Sequence, residues 1–427
     1  MMLVEPASAL VGDLAVPGVK GISQRGVLLG AIADGESELR GFGHAADTDV
    51  AIEAVRQLGV EVEEEGGDVL RVRGRGLRGL RPSEAPIDCG NAGTVLRLLL
   101  GVLAGQDGRF RLVGDESLSR RPVRVEEPLR LMGANVETTE GRPPVQIDGA
   151  RLEPIRYELP FASAQVKSSV LLAGLQAQRG PTAVVEPVAT RDHTERLLES
   201  AGVRVQRRGA EISVWPVERI APFSIDIPGD FSSAAPFVVA ATLLSGSELR
   251  IHGVNVNPTR TGLLDVLARM GARITIFNRR RAGGEPVGDL DVRSAQLVAT
   301  EITGEEVPAL VDELPLFALA AAFARGESVV SGAGELRVKE TDRIETVTTS
   351  LRALGVRISA SENGFRVRGV PTRPKGGGFG SHGDHRLAML GAIAGVVSRE
   401  GVRLEGAEAV GVSFPGFFDL LESVTQR

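Results

Sequence analysis

One device recurs six times along the chain: a polar helix start, an apolar stretch of about three turns, a glycine and then a strand. The starts read Lys20-Gly-Ile-Ser-Gln-Arg25, Asn91-Ala-Gly-Thr94, Ser163-Ala-Gln165, Asp230-Phe-Ser-Ser233, Asp312-Glu313 and Asp384-His-Arg386. Apolar stretches such as 95–103, 166–175 and 387–397 follow them. The closing glycines are Gly35, Gly108, Gly180, Gly246, Gly326 and Gly401, spaced 73, 72, 66, 80 and 75 residues apart. A long fixed period means one folding unit copied along the chain. Helix N-termini carry unpaired N–H groups and partial positive charge, so starts that converge make a site for anions.

A second helix repeats inside the same period. Gly59, Gly133, Gly202, Gly271 and Gly355 each follow an amphipathic run and precede an alternating stretch, as in Arg-Gln-Leu-Gly59-Val-Glu-Val. Glycine just past a helix accepts the left-handed backbone that ends it, and the alternation suits a half-buried strand. The entries to these helices read Thr48-Asp49, Arg121-Pro122, Thr190-Arg191-Asp192, Thr259-Arg260 and Thr341-Asp342-Arg343. Thr and Asp are good caps, and Pro suits a first helical turn. Each repeat therefore reads strand–helix–strand–helix–strand–strand. The Pro-rich stretch from Trp215-Pro216 to Pro228-Gly229 is the expected crossover between two lobes of three repeats.

The repeat explains the 53 glycines, about 12 % of the 427 residues, against roughly 7 % in ordinary proteins. With 49 basic and 55 acidic residues the net charge is −6, which argues against a nucleic-acid partner. The single cysteine, Cys89, rules out an intrachain disulfide and points to a cytoplasmic setting. The five histidines are scattered without metal-site spacing. No apolar run approaches the 18 or so residues of a membrane span, and the first residues lack the pattern of a signal peptide.

Several motifs at the helix starts are cationic. Lys20 and Arg25 flank the first, and Arg121 precedes Pro122, where an arginine at a helix start would oppose the dipole unless an anion compensated it. Gly93 lacks a side chain, so a ligand can approach the backbone closely there. Arg97 lies inside an apolar helix, an awkward place for a surface residue. Ser163, Gln165 and Thr190 offer hydroxyls and an amide at helix entries, and Asp312 is a carboxylate among cations, suited to a general base. The segment Leu336-Arg337-Val-Lys339-Glu340-Thr-Asp342-Arg343 is the densest charge cluster, with Asp384-His-Arg386 as its partner in the last repeat. Cations gathered in such number repel one another unless anions join them, so substrates bearing phosphate and carboxylate groups are expected.

Pro-Gly-x-Lys20, Gly-Asn-Ala-Gly-Thr94, Arg121-Pro122, Ser163-Ala-Gln165, Arg-Val-Lys-Glu-Thr-Asp-Arg343 and Asp-His-Arg386 together resemble the 5-enolpyruvylshikimate-3-phosphate synthase family, over essentially the whole chain. Ser-Ala-Gln-Val-Lys and Thr-Arg-Asp-His-Thr-Glu are most similar to the bacterial branch that includes glyphosate-tolerant members. The resemblance implies a two-lobed α/β fold of six βαβαββ repeats, three per lobe, an inside-out α/β barrel. Its lobes would comprise 1–19 with 228–427, and 20–227. It implies transfer of the enolpyruvyl group of phosphoenolpyruvate to the 5-hydroxyl of shikimate 3-phosphate by addition and elimination, on the way to chorismate and the aromatic amino acids, with no cofactor or metal. A cytoplasmic monomer without membrane or nucleic-acid partners is implied, with glyphosate as an inhibitor.

Carried over by motif, Lys20, Gly93, Arg121, Gln165, Arg343 and Arg386 would bind phosphoenolpyruvate. Lys20, Gly21, Arg25, Ser163, Ala164 (through its backbone), Gln165, Thr190, Asp312 and Lys339 would bind shikimate 3-phosphate. Asp312 would deprotonate the 5-hydroxyl with help from Lys339, Glu340 would protonate the methylene carbon, and Lys20 completes the catalytic set. As an acid Glu340 must be protonated, yet Lys339 and Arg343 should depress its pKa.

Three positions depart from the family pattern. Gly21 replaces the usual serine, Val412 aligns with a lysine of one branch, and Glu335 replaces a common asparagine. Gly93 stands where some tolerant members carry alanine, which implies greater sensitivity to glyphosate here. Two alternatives accompany this reading: a transferase paralogue with another acceptor, and a non-catalytic metabolite-binding paralogue, for which Gly21 is the support. UDP-N-acetylglucosamine enolpyruvyl transferase fits less well. The stretch 114–121 holds Asp115 but no cysteine, and that family lacks the Lys-Glu-Thr-Asp-Arg motif.

Overall fold

The computed structural model describes residues 1–427 as a mixed α/β chain that divides into two compact units. One holds Met1–Pro17, Gly229–Arg280 and Pro286–Arg427, the other Gly18–Pro228 with Arg281–Glu285. Each has its own hydrophobic core and three sheets, and none of the six sheets closes into a barrel.

The sheets follow one plan, visible in the second repeat of the Gly18–Pro228 unit. Ile87–Asp88 leads into the helix Gly93–Leu103, and the chain returns through Arg109–Val113, parallel to Ile87–Asp88. The hairpin Asn135–Thr139/Arg142–Asp148 then completes the sheet in antiparallel pairing. Arg156–Glu158 and Thr182–Val185 pair in parallel around the helix Ala164–Gly174 in the same way. So do Glu301–Ile302 with Gly326–Val330, and Gly377–Gly380 with Val402–Glu405.

Two repeats exchange their leading strands. Ala9–Ala15, which precedes the helix Lys20–Ala31, pairs in parallel with Glu248–Asn255. Ser224–Asp226, which precedes the helix Phe231–Leu243, pairs in parallel with Glu36–Arg40. A hairpin makes a further excursion: its strands Arg273–Ala282 and Glu285–Arg293 mostly belong to the Met1–Pro17-containing unit, but residues 281–285 pack with the other. There Glu285 Oε1 lies 2.7 Å from His193 Nδ1, both buried.

The six repeat helices, Lys20–Ala31, Gly93–Leu103, Ala164–Gly174, Phe231–Leu243, Leu314–Phe323 and His385–Val397, have 10 to 13 residues each. Several are apolar on every face, which demands complete burial. From Leu314 to Ala322 every residue is buried. Neighbouring helices approach closely where side chains are missing: a Cβ on Gly101 would lie 2.3 Å from the carbonyl oxygen of Ser169. The glycines that close the repeats all have positive φ, from 66° at Gly180 to 133° at Gly35, as do the five after the second helices.

One helix start differs from the sequence expectation. The second helix of the second repeat begins at Glu126, not at Pro122. Arg124 has φ 69°, outside the helical region, and the carbonyls of Pro122 and Val123 accept from Arg97 at 2.6 and 3.0 Å.

The chain's only tyrosine supplies a probe of this packing. Burial, reinforced by the hydroxyl's 2.9 Å hydrogen bond to Glu127, pushes Tyr157 up to about 12 from the ordinary 10. Absorbance titration should place its ionisation near pH 12 in the native protein and near 10 in urea. Because the raised pKa favours the protonated folded form, its contribution to stability is full below pH 10 and is lost as pH rises towards 12.

Candidate active site

In the Gly18–Pro228 unit, three repeat-helix starts are tied by side chains. Gln165 donates through Nε2 to Thr94 Oγ1 at 2.9 Å and accepts from Arg97 Nη1 at 2.6 Å. Arg97 also donates to the Gly93 carbonyl at 3.1 Å. It is buried because it is a staple: one planar guanidinium satisfies the Gly93 turn, the 122–123 loop and Gln165. Arg121 is oriented by Asn91, donating to its backbone oxygen at 2.7 Å and its side-chain oxygen at 2.6 Å. A Cβ on Gly93 would fall 2.8 Å from Arg97 Nη1 and 3.7 Å from Arg121 Nη1.

The helix Lys20–Ala31 adds two cations. Lys20 Nζ lies 2.6 Å from Asp47 Oδ2, at the first turn of the helix Ala46–Gln57. Arg25 donates to Thr194 Oγ1 at 2.7 Å, Ser168 Oγ at 3.2 Å and the Gly21 carbonyl at 2.7 Å. Burial pulls its guanidinium down to about 10, with Glu195 opposing. A Cβ on Gly21 would meet Arg25 Nη1 at 3.2 Å. Ser163 Oγ accepts from the Val166 N–H at 3.4 Å and caps the helix that Ala164 begins. The Ala164 N–H therefore belongs to a helix end whose N–H groups lack intrahelical acceptors.

Thr190 is fixed by Glu186, whose Oε1 accepts from its backbone N–H at 3.1 Å and also from its hydroxyl. Glu186 is itself neutralised from below. Lys167 Nζ, completely buried, lies 3.0 Å from Glu186 Oε1 and 2.7 Å from Glu195 Oε1.

In the other unit, the starts of Phe231–Leu243, Leu314–Phe323 and His385–Val397 meet around buried charges. Asp384 does two jobs: Oδ1 caps its helix by accepting from the Arg386 N–H at 2.9 Å, and the carboxylate clamps Arg343. Arg343, 1 % exposed, donates to Asp384 Oδ2 at 2.8 Å and Oδ1 at 3.1 Å, and to Glu340 Oε2 at 2.7 Å. Its Nη1 stands 3.6 Å from Asp312 Oδ1. Arg386 Nη2 stands 3.5 Å from Asp312 Oδ2. Lys339 donates to Glu335 at 3.1 Å, one turn back. Burial alone would raise the Glu340 pKa, but Arg343, His385 and Lys339 outweigh it and hold the carboxyl well below the usual range. No group of three or more His, Cys, Asp or Glu side chains is arranged to hold a metal, and no helix is long and apolar enough to cross a membrane.

The model of the EPSP synthase (3-phosphoshikimate 1-carboxyvinyltransferase) family matches residues 4–421. The chain belongs to the EPSP synthase family. It is 49 % identical to a 3-phosphoshikimate 1-carboxyvinyltransferase of Lactiplantibacillus plantarum over 431 residues, covering 99 % of this chain and 98 % of that one. The structure of an EPSP synthase from Acinetobacter baumannii superimposes with a TM-score of 0.89 at 40 % identity, covering 99 % and 97 %. The enolpyruvyl transferase NikO from Streptomyces tendae, at 18 % identity, shares the fold, with a TM-score of 0.80 and coverage of 99 % and 96 %.

The family motifs of this EPSP synthase family member fall into two groups. Lys20, Gly21, Arg25, Gly93, Arg121, Ser163, Ala164, Gln165 and Thr190 lie in one unit, and Asp312, Lys339, Glu340, Arg343 and Arg386 in the other. Two expectations need correction. Arg121 does not sit at a helix start; it follows the short helix Glu116–Ser119. The cations around Arg343 are not left to repel one another, because Asp312, Glu313, Glu340 and Asp384 already interleave with Arg260, Arg343 and Arg386. Sequence reasoning missed Asp47 and Glu186 as partners of site residues. No motif marks either, and each acts on a residue distant from or overshadowed by its own segment.

Proposed function

We propose that this chain transfers the enolpyruvyl group of phosphoenolpyruvate to the 5-hydroxyl of shikimate 3-phosphate, releasing inorganic phosphate. The observation that carries the reading is the full-length match to the EPSP synthase family, at 49 % identity over 99 % of the chain to a curated member. The charge constellation around Asp312, Glu340 and Arg343 supports it.

In the proposed reaction Asp312, with Lys339, takes the proton of the 5-hydroxyl as its oxygen bonds to C2 of phosphoenolpyruvate. Glu340 gives a proton to C3, forming a methyl group. Loss of a proton from that methyl group and departure of phosphate restore the double bond. Lys20, Gly93, Arg121, Gln165, Arg343 and Arg386 hold phosphoenolpyruvate. Lys20, Gly21, Arg25, Ser163, Ala164, Gln165 and Thr190, with Asp312 and Lys339, hold shikimate 3-phosphate. Arginine suits these anions because its fork matches carboxylate and phosphate oxygens. The proposed setting is a cytoplasmic monomer.

The test is phosphate release with both substrates and with each omitted. Release that needs both supports the reading. Absence of release, with phosphoenolpyruvate still bound by calorimetry, points to another acceptor, and absence of binding to a non-catalytic paralogue.

Gly93 gives a second test. A methyl group there would displace Arg97 Nη1, which it would approach to 2.8 Å, and crowd the space beside Arg121. Glyphosate, an analogue of phosphoenolpyruvate, should inhibit Gly93→Ala less strongly than the parent, by roughly 10- to 200-fold for one methyl group in a tight site. An unchanged inhibition constant would remove Gly93 as a determinant of sensitivity.

A further inference from the structure

Glu313 is completely buried and holds no part in the chemistry proposed above, yet it touches all three repeat-helix starts of its unit. Its carboxylate accepts a fork from Arg260, at 2.7 Å on Oε2 and 3.0 Å on Oε1. Oε1 also accepts from Ser232 Oγ at 2.6 Å and from Arg386 Nη1 at 3.3 Å. Ser232 Oγ in turn accepts from Arg386 Nη2 at 3.1 Å, and the Asp312 carbonyl accepts from Arg386 Nη1 at 3.3 Å.

The lengths divide the labour. Charge-assisted N–H···O bonds are strongest near 2.7–2.9 Å. Of the two arginines on Glu313, Arg260 makes the shorter contacts, 2.7 and 3.0 Å in a two-pronged pair, against 3.3 Å for Arg386. Arg386 makes longer contacts, donating to Ser232 Oγ at 3.1 Å and Glu313 Oε1 at 3.3 Å and standing 3.5 Å from Asp312 Oδ2. Such an arrangement fixes the plane of the Arg386 guanidinium without saturating it.

We infer that Glu313 is a positioning residue for phosphoenolpyruvate: with Ser232 it orients Arg386, while the Arg260 fork pairs with its carboxylate, so that Arg386 keeps positive charge available to an anion. The inference rests on the functional reading above, in which Arg386 binds phosphoenolpyruvate. Preorganisation of this kind lowers the ordering cost of binding.

The experiment is steady-state kinetics of the full chain with the two substrates varied separately. Glu313→Gln should raise KM for phosphoenolpyruvate by roughly 10- to 100-fold, the worth of one hydrogen bond to a charged group. KM for shikimate 3-phosphate should change much less. Ser232→Ala, which leaves the Arg260–Glu313 fork intact, should shift the same parameter in the same direction.

Glu313→Gln also leaves Arg260 short of a buried partner, so the paired variant Arg260→Met with Glu313→Met guards against misfolding. Replacing both members of a buried ion pair by apolar residues is often tolerated. If Glu313 positions Arg386, the paired variant keeps the raised KM for phosphoenolpyruvate. A return to the parental KM in that variant overturns the inference, because the pair is then only structural. So does an unchanged KM in both Glu313→Gln and Ser232→Ala when the parent turns over normally. A parent without turnover is a different result, which overturns the functional reading and the inference with it.

Discussion

Replacing Glu340 with glutamine should lower turnover by roughly 10²- to 10⁴-fold, the usual contribution of a general acid, while leaving the fold intact. Glutamine keeps the shape of glutamate and retains an oxygen for Arg343 Nη2, which donates to Glu340 at 2.7 Å. It has no proton to give to carbon. The surroundings of Glu340 make the result more informative than a simple loss. Burial opposes ionisation, but Arg343, His385 and Lys339 prevail and keep the carboxyl ionised well below its usual pKa. An acid so poised cannot donate in the empty protein at neutral pH. Anionic substrates beside Arg343 and Lys339 would reverse the balance, so protonation of Glu340 should follow assembly of the ternary complex. The parent should show a limb in which kcat falls as pH rises, and Glu340→Gln should lack it. The stability consequence has the opposite pH sense. A depressed carboxyl contributes stability that is present above its unfolded pKa of about 4.5 and is lost as pH falls. Glu340→Gln should therefore flatten the acid side of the stability profile. Undiminished turnover in the variant would remove Glu340 from the chemistry.

Lys167→Met should destabilise the fold by about 3–5 kcal/mol, the cost of leaving buried charges without their partner. The ammonium is completely buried between Glu186 and Glu195, whose side chains are 1 % and 7 % exposed. Arg207 compensates only in part, at 3.7 Å from Glu186 and 3.4 Å from Glu195 and with its own side chain 42 % exposed. Methionine fills similar space but restores no charge. Urea unfolding followed by circular dichroism measures the loss. A second effect should accompany it, because Glu186 also holds the hydroxyl and N–H of Thr190. KM for shikimate 3-phosphate should rise in any fraction that folds. A variant as stable as the parent would show that this cluster is less desolvated than its burial indicates.

What the sequence made legible was whatever is local or repeated. The closing glycines, the six apolar helices and the caps at Ser163, Asp230 and Asp384 are short-range signals, and each appears in the structure. Long-range partners were illegible. Asp47 lies 27 residues from Lys20, and Arg260 lies 53 from Glu313; nothing in either segment announces the other. The misplaced start at Arg121-Pro122 has the same origin. Proline permits a first helical turn, but Arg124 has φ 69°, which breaks the helix there, and the carbonyls of Pro122 and Val123 accept from Arg97, 25 and 26 residues earlier. The full number of acids among the cations was illegible too, because acidic residues such as Glu313 look like ordinary helix-start residues until their tertiary partners are known.

The exchanged leading strands impose an order of events on synthesis. Val11 pairs with Glu248, 237 positions further along the chain. At ordinary translation rates of about 5–20 residues per second, that partner emerges roughly 10–50 s after the strand itself. Throughout that interval Ala9–Ala15 has no parallel neighbour, while the chain that will form the Gly18–Pro228 unit is still being made. That unit also waits for residues 281–285, including the Glu285 that faces His193. Neither half of the molecule can therefore complete its fold before the middle of the other has been translated, and the first long strand waits for a partner made after more than half of the chain.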